Sequence, residues 1–208
     1  MLLRTLLVFA AVVALACASG SRPPAKSSAP APRGWIRGPH GLLRVDQAGS
    51  GGLPILFVHG NGGNRSQWAE QLAHFSPSRA AAALDLSGMG DSELDAGGGP
   101  IRVEGYAADV EAAADALGYK RYVLVGHSYG GAVVAACAGR RPDRVAGVVF
   151  ADCAGDLHAT PPEQIEPLKS GLAADFRRFT DKWFEGILVG ARPETRAAVL
   201  DSLHRTPR

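Results

Sequence analysis

Lysine, cysteine, methionine and aromatic residues are scarce in this chain, and neither sign of charge dominates. Of 208 residues, 3 are cysteine and 2 methionine, and aromatics make up 7%. So few cysteines exclude a disulfide-dense scaffold, and their scatter at Cys17, Cys137 and Cys153 excludes a paired-cysteine metal site. No two histidines share a metal-ligand spacing, so no metal and no cofactor is expected. A net charge of +2, with acids and bases interspersed, leaves no basic face and argues against a nucleic-acid partner. The 26 glycines lack the period of collagen, and 46% hydrophobic with 20% charged residues excludes a wholly disordered polymer. Arginine far outnumbers lysine, which reads as a GC-rich coding sequence before it reads as function. Long hydrophobic runs are missing too. The apolar run at the start, Thr5–Ala16, is too short to span a bilayer as a permanent helix.

That run sets the first residues apart. Arg4 precedes it, and the small residues Ala14, Ala16 and Ala18 lie at its end, which is the layout of a secretory signal over residues 1–18. Export from a bacterial cytoplasm is therefore expected. Residues 19–33 are rich in Ser, Pro and Ala and read as a linker. Cys17 directly follows Ala14-Leu15-Ala16, a site similar to a bacterial lipobox, so it is the lipidation candidate and a candidate membrane tether. Plain cleavage after Ala18 is the alternative. Cys137 and Cys153 sit in apolar surroundings, as inert core thiols do.

From Gly34 the pattern alternates. Gly41–Val45, Pro54–Val58, Ala80–Leu86, Tyr122–Val125 and Val145–Asp152 read as strands. Between them, Trp68, Leu72 and Phe75 follow a capping Asn64 or Ser66, and Val103, Tyr106, Val110 and Leu117 mark a helical face closed by Gly118. Such alternation predicts an α/β fold, a predominantly parallel sheet with helices on both faces. Beyond Thr160-Pro161-Pro162 the apolar residues fall at helical spacing, from Ile165 and Leu168 through Phe176, Phe179 and Trp183 to Leu203. Residues 34–156 are thus expected to form the core and 157–208 a helical segment.

The most informative stretch is Gly126-His127-Ser128-Tyr129-Gly130-Gly131, which fits G-x-S-x-G between a strand and a helix starting near Ala132. A serine on a sharp strand-to-helix turn projects its hydroxyl above the sheet, and side chains larger than glycine would clash at Gly126 and Gly130. The helix behind it aims N-terminal amides at developing negative charge. His127, next to this serine, is expected to point away from it.

Three pieces together resemble the α/β-hydrolase superfamily in its serine-nucleophile branch of esterases, lactonases and haloperoxidase-like enzymes. Gly126–Gly130 is similar to the nucleophile elbow, and His59-Gly60-Asn61-Gly62 to the loop that supplies part of the oxyanion hole. Asp85-Leu86-Ser87-Gly88-Met89-Gly90-Asp91-Ser92 is similar to the turn D-x-x-G-x-G-x-S after the next strand. The resemblance covers Gly34–Asp156, and the remainder resembles the helical cap that follows the sixth strand. It implies Ser128 as the nucleophile, with the backbone amides of Asn61 and Tyr129 forming the oxyanion hole. His59 would support its loop, and Asp85 and Asp91 would fix their turn by hydrogen bonds. Serine at the elbow counts against the aspartate-nucleophile branches, among them haloalkane dehalogenases and epoxide hydrolases.

The rest of the triad is harder to place. Asp152, at the end of a strand, is the candidate acid, because some members carry the acid after the sixth strand. Only His158 and His204 follow it, and neither sits on a loop after a final strand, where the base belongs. The last strands of such a fold are missing from the pattern, so a member truncated after the cap region is expected. Two functions remain open: a hydrolase acting on a small-molecule acyl substrate through an acyl-enzyme, or a catalytically incompetent homologue or tethered binding protein lacking the base.

Overall fold

The computed structural model describes residues 34–97, 100–153 and 161–205. The expected signal (1–18) and linker (19–33), with Cys17, and also His158 lie outside the described residues. Six strands form one sheet: β1 (Trp35–Arg37), β2 (Leu42–Ala48), β3 (Ile55–Val58), β4 (Ala81–Leu84), β5 (Tyr122–His127) and β6 (Val145–Ala151). Their order is β1-β2-β4-β3-β5-β6; the pairs β1–β2 and β2–β4 are antiparallel, and β3–β4, β3–β5 and β5–β6 are parallel.

Strands β3 (Ile-Leu-Phe-Val) and β4 (Ala-Ala-Ala-Leu) are buried at every residue, as continuous apolar runs in the middle of a parallel sheet must be. Alternation then sorts β3 between two cores. Leu56 and Val58 face one side with α2 (Val103–Ala116) and α3 (Tyr129–Arg140), against Val110, Val133 and Val134. Ile55 and Phe57 face the other, where Trp68 stacks on Phe57 with ring centroids 4.9 Å apart and Leu72 packs beside them. Those two residues come from a 3₁₀ turn (Arg65–Trp68) and α1 (Ala69–Phe75), begun by Asn64, whose side chain accepts the Ser66 amide. Helix α2 ends as expected at Gly118, whose φ of +73° suits a residue without Cβ.

The turn after β4 is knotted by charge. Asp85, fully buried, accepts the amides of Arg65 at 2.6 Å and Asp91 at 2.9 Å. The Arg65 guanidinium binds Asp85 and reaches Asp46 at 3.0 Å and Asp91 at 2.8 Å. A paired buried carboxylate is tolerated where its lone pairs are filled, so both aspartates serve the turn.

Three further helices follow: α4 (Pro162–Ala174), α5 (Phe176–Ile187) and α6 (Pro193–Arg205). Leu168 and Leu172 of α4 pack against Phe176, Phe179 and Trp183 of α5, a small core separate from those of the sheet. Asp175 caps α5 by accepting the Arg178 amide at 3.0 Å. Helix α6 is tied to α5 through Arg177, which donates to the carbonyls of Leu203 at 3.1 Å and His204 at 3.3 Å. Among the described residues no helix is long and apolar enough to cross a membrane.

Candidate active site

In a parallel sheet, a crevice opens at the carboxyl ends of the strands where neighbouring connections leave in opposite directions. Strand β3 lies between β4 and β5, so the loop after β3 and the turn after β5 meet there. A cavity of about 750 Å³ occupies that place, lined by Gly60, Asn61, His127, Ser128, Ala151 and Asp152 from the sheet ends. Gln67, Trp68 and Gln71 bound it on one flank, and Phe184, Ile187, Leu188, Ala198 and Val199 of the last two helices supply an apolar wall.

Ser128 stands on the turn with φ 51° and ψ −119°, a conformation few non-glycine residues adopt. The backbone around it leaves no choice. A Cβ on Gly126 would overlap the Gly130 carbonyl, and one on Gly130 would come within 2.5 Å of the Val58 carbonyl oxygen. Ser128 is 5% exposed, and its Oγ has no hydrogen-bond partner among the described residues. Helix α3 begins at Tyr129, three residues before the sequence pattern places it, because the Ser128 turn hands the chain directly into helical geometry.

The amides of Asn61 and Tyr129 donate to no backbone carbonyl among the described residues. Beside them, His59 is wholly buried and bridges its loop to the next turn: Nδ1–H donates to the Gly60 carbonyl at 2.7 Å, and Nε2 accepts the Leu86 amide at 3.2 Å. Burial pushes its pKa down, against the Gly60 hydrogen bond, which favours the neutral imidazole this pairing needs. His59 is therefore a brace for the loop, as expected.

Asp152 directly follows β6 with φ 50° and lines the same cavity as Ser128. Its carboxylate makes no hydrogen bond to a described histidine. His204 is not brought to the site: it is exposed on α6, with Nε2 2.7 Å from Asp181 on α5.

His127 differs from the expectation. Its ring does not turn away but lines the cavity half-buried, because Gly60 opposite has no side chain; a Cβ there would lie 3.1 Å from both His127 Nδ1 and Ser128 Cβ. Burial lowers its pKa and Asp152 opposes that shift. Tyr129 also holds more than its amide: the ring is 1% exposed and meets Tyr106 edge-on at 5.9 Å. Among the described residues no cluster of three or more His, Cys, Asp or Glu is placed to hold a metal ion.

The sequence model described as "alpha/beta hydrolase fold" matches residues 54–206. The chain is 38% identical over 124 residues to the lipase LipV of Mycobacterium tuberculosis, covering 59% of this chain and 46% of that one. Among solved structures, Est816, an N-acyl homoserine lactone degrading enzyme, superposes with a TM-score of 0.71 at 26% identity, covering 82% of this chain and 65% of its own. A thermophilic esterase from Thermogutta terrifontis gives a TM-score of 0.69 at 25% identity, covering 85% and 68%. Proteins named epoxide hydrolase and haloalkane dehalogenase match over shorter stretches. The chain spans from about a quarter to about half of the length of the curated relatives it matches.

Proposed function

Because the chain belongs to the α/β-hydrolase family, we propose that it is a serine hydrolase cleaving an ester, lactone or related acyl bond through an acyl-enzyme on Ser128. One observation carries this reading. The Ser128 hydroxyl, at the elbow with φ 51°, lies between a loop and a helix N-terminus in which the amides of Asn61 and Tyr129 have no backbone partner among the described residues. Such amides suit an oxygen that becomes negative only in the transition state, where a fixed donor contributes most.

The chemistry follows. Ser128 Oγ attacks the acyl carbon as its proton leaves to a base, and the carbonyl oxygen takes the electron pair and rests on the Asn61 and Tyr129 amides. The tetrahedral species collapses, the alkoxide departs with a proton, and water then releases the acyl group as an acid and restores Ser128. The apolar wall of Phe184, Ile187, Leu188, Ala198 and Val199 suits the hydrocarbon part of such a substrate. A serine, not an aspartate, at the elbow separates this reading from epoxide opening and dehalogenation.

The unpartnered Ser128 Oγ favours a second reading, in which the chain binds an acyl ligand without turning it over. One experiment separates them. The parent is expected to be labelled by a fluorophosphonate probe and to hydrolyse a short-chain nitrophenyl ester above background, and Ser128→Ala to lose both. Labelling of the variant at the parental rate would remove Ser128 from the chemistry. Saturable binding of the ester without turnover by the parent would establish the second reading.

We also propose that the protein is exported and tethered through Cys17. Intact mass of protein from a bacterial host is expected to show loss of residues 1–16 and an acyl increment on Cys17. An intact Met1 in the cytosolic fraction would overturn export, and an unmodified terminus beyond Ala18 would overturn the tether.

A further inference from the structure

We propose that Ser202, on the last helix, is a positioning residue for the oxyanion amide of Asn61; this rests on the hydrolase reading above. Ser202 is 3% exposed, and its hydroxyl donates to the Gly62 carbonyl at 2.9 Å while accepting Asn64 Nδ2 at 2.9 Å. Asn64, 7% exposed, uses its Oδ1 to accept the Ser66 amide at 2.9 Å, so its orientation is set from both sides. Gly62 itself has φ +69°, and Leu203 Cδ1 lies 3.2 Å from where its Cβ would stand, so α6 covers this bend closely.

Peptide planarity carries the contact to the site. In a trans peptide the carbonyl of one residue and the amide of the next point in opposite directions within one plane. Holding the Gly62 carbonyl against Ser202 therefore turns the Gly63 amide the other way, where it donates to the Gly60 carbonyl at 3.1 Å. The Gly60 carbonyl shares its plane with the Asn61 amide, so fixing the one aims the other. Two rigid planes thus link a hydroxyl on α6 to the proposed oxyanion donor. His59 Nδ1, at 2.7 Å, is a second hold on the Gly60 carbonyl, so loss of Ser202 loosens the amide without freeing it.

The same helix carries Ala198 and Val199 of the apolar wall. Helix α6 therefore meets the acyl part of a substrate on one turn and steadies the charge-stabilising loop from the next.

The test compares the full chain with Ser202→Ala, Ser202→Thr and Arg177→Ala. The last removes the hold of α5 on the end of α6 but touches nothing on the loop. In Ser202→Ala, kcat for a nitrophenyl ester is expected to fall about tenfold, the size one neutral hydrogen bond carries, with KM within about twofold. Hydrogen exchange at residues 60–64 is expected to quicken by a similar factor. Ser202→Thr, which keeps the hydroxyl, should restore both, and Arg177→Ala should leave both near parental values. Parental kcat and loop exchange in Ser202→Ala would overturn the proposal, as would equal losses in Arg177→Ala, which would reduce Ser202 to general helix docking. Parental turnover no higher than that of Ser128→Ala would fail the hydrolase reading instead, and loop exchange would still decide whether Ser202 holds the loop.

Discussion

Ser128 and Asp152 are the non-glycine residues with positive φ among those described, at 51° and 50°, and they follow the ends of neighbouring parallel strands. Such backbone costs on the order of 1–3 kcal/mol for each residue, less for aspartate, which tolerates the left-handed region. Asparagine tolerates it equally, so Asp152→Asn removes charge without disturbing the turn. We expect that variant to keep the parental far-UV spectrum, and if Asp152 is the acid, to lose at least about a hundredfold in ester turnover, as when a triad acid is neutralised. A loss under about threefold would take Asp152 out of the site. Asn61 and Ser128, named from motif spacing, line the cavity, because glycines at fixed offsets permit only one path through the elbow. What spacing hides is where a neighbouring ring goes. His127 packs beside Gly60, far away in sequence, where a Cβ would crowd its ring. The burial of the Tyr129 ring likewise depends on α2, so truncating that ring would open the core.

At the scale of elements, the apolar runs of β3, β4 and β5 were readable because central parallel strands need no alternation. Strand β1 has three half-buried residues and no such run, so only its pairing with β2 defines it. The contact of Ser202 with Gly62 spans 140 positions and rests on one hydroxyl, which no periodicity records. Helix α2 adds a charge the pattern reads as ordinary. Asp109 is fully buried, accepting the Ser87 amide at 3.0 Å, and burial pushes its pKa up to about 6, with the Ser87 hydrogen bond and His40 opposing. Its ordinary value is 3.8. The folded carboxyl therefore holds its proton where the unfolded one has lost it, and its contribution to stability is lost as pH rises from about 4 through about 6. A shift of this size corresponds to roughly 2–3 kcal/mol. Asp109→Asn keeps an acceptor for the Ser87 amide and has no charge to bury. Urea denaturation is expected to show the variant more stable than the parent at pH 7.5, with the gain gone at pH 4. A variant less stable at both values would show that the carboxylate is worth its burial.

For the whole molecule, the decisive feature is β6, an outermost strand of the sheet among the described residues. Strand β6, Val-Ala-Gly-Val-Val-Phe-Ala, pairs with β5 alone among the described residues, with Val149 50% and Phe150 57% exposed. An edge strand free of charge and proline presents a row of unpaired amides and carbonyls flanked by apolar side chains, which is a template for another strand. Natural edges are guarded by an inward lysine, a proline or a bulge, and this strand has none of the first two along its length. The net charge of +2 supplies little repulsion between copies. We therefore expect the purified chain to sediment as a dimer or larger species at tens of micromolar, through antiparallel or parallel pairing of β6. Val149→Lys is the cleaner probe than a change at Phe150, whose ring approaches Gly131 and helps seat α3. The lysine variant should shift the population toward monomer while the fluorophosphonate reaction at Ser128, a strand away, proceeds at the parental rate. A parent that is already monomeric under those conditions would mean that β6 is covered, and limited deuterium uptake along Val145–Ala151 would then show by how much.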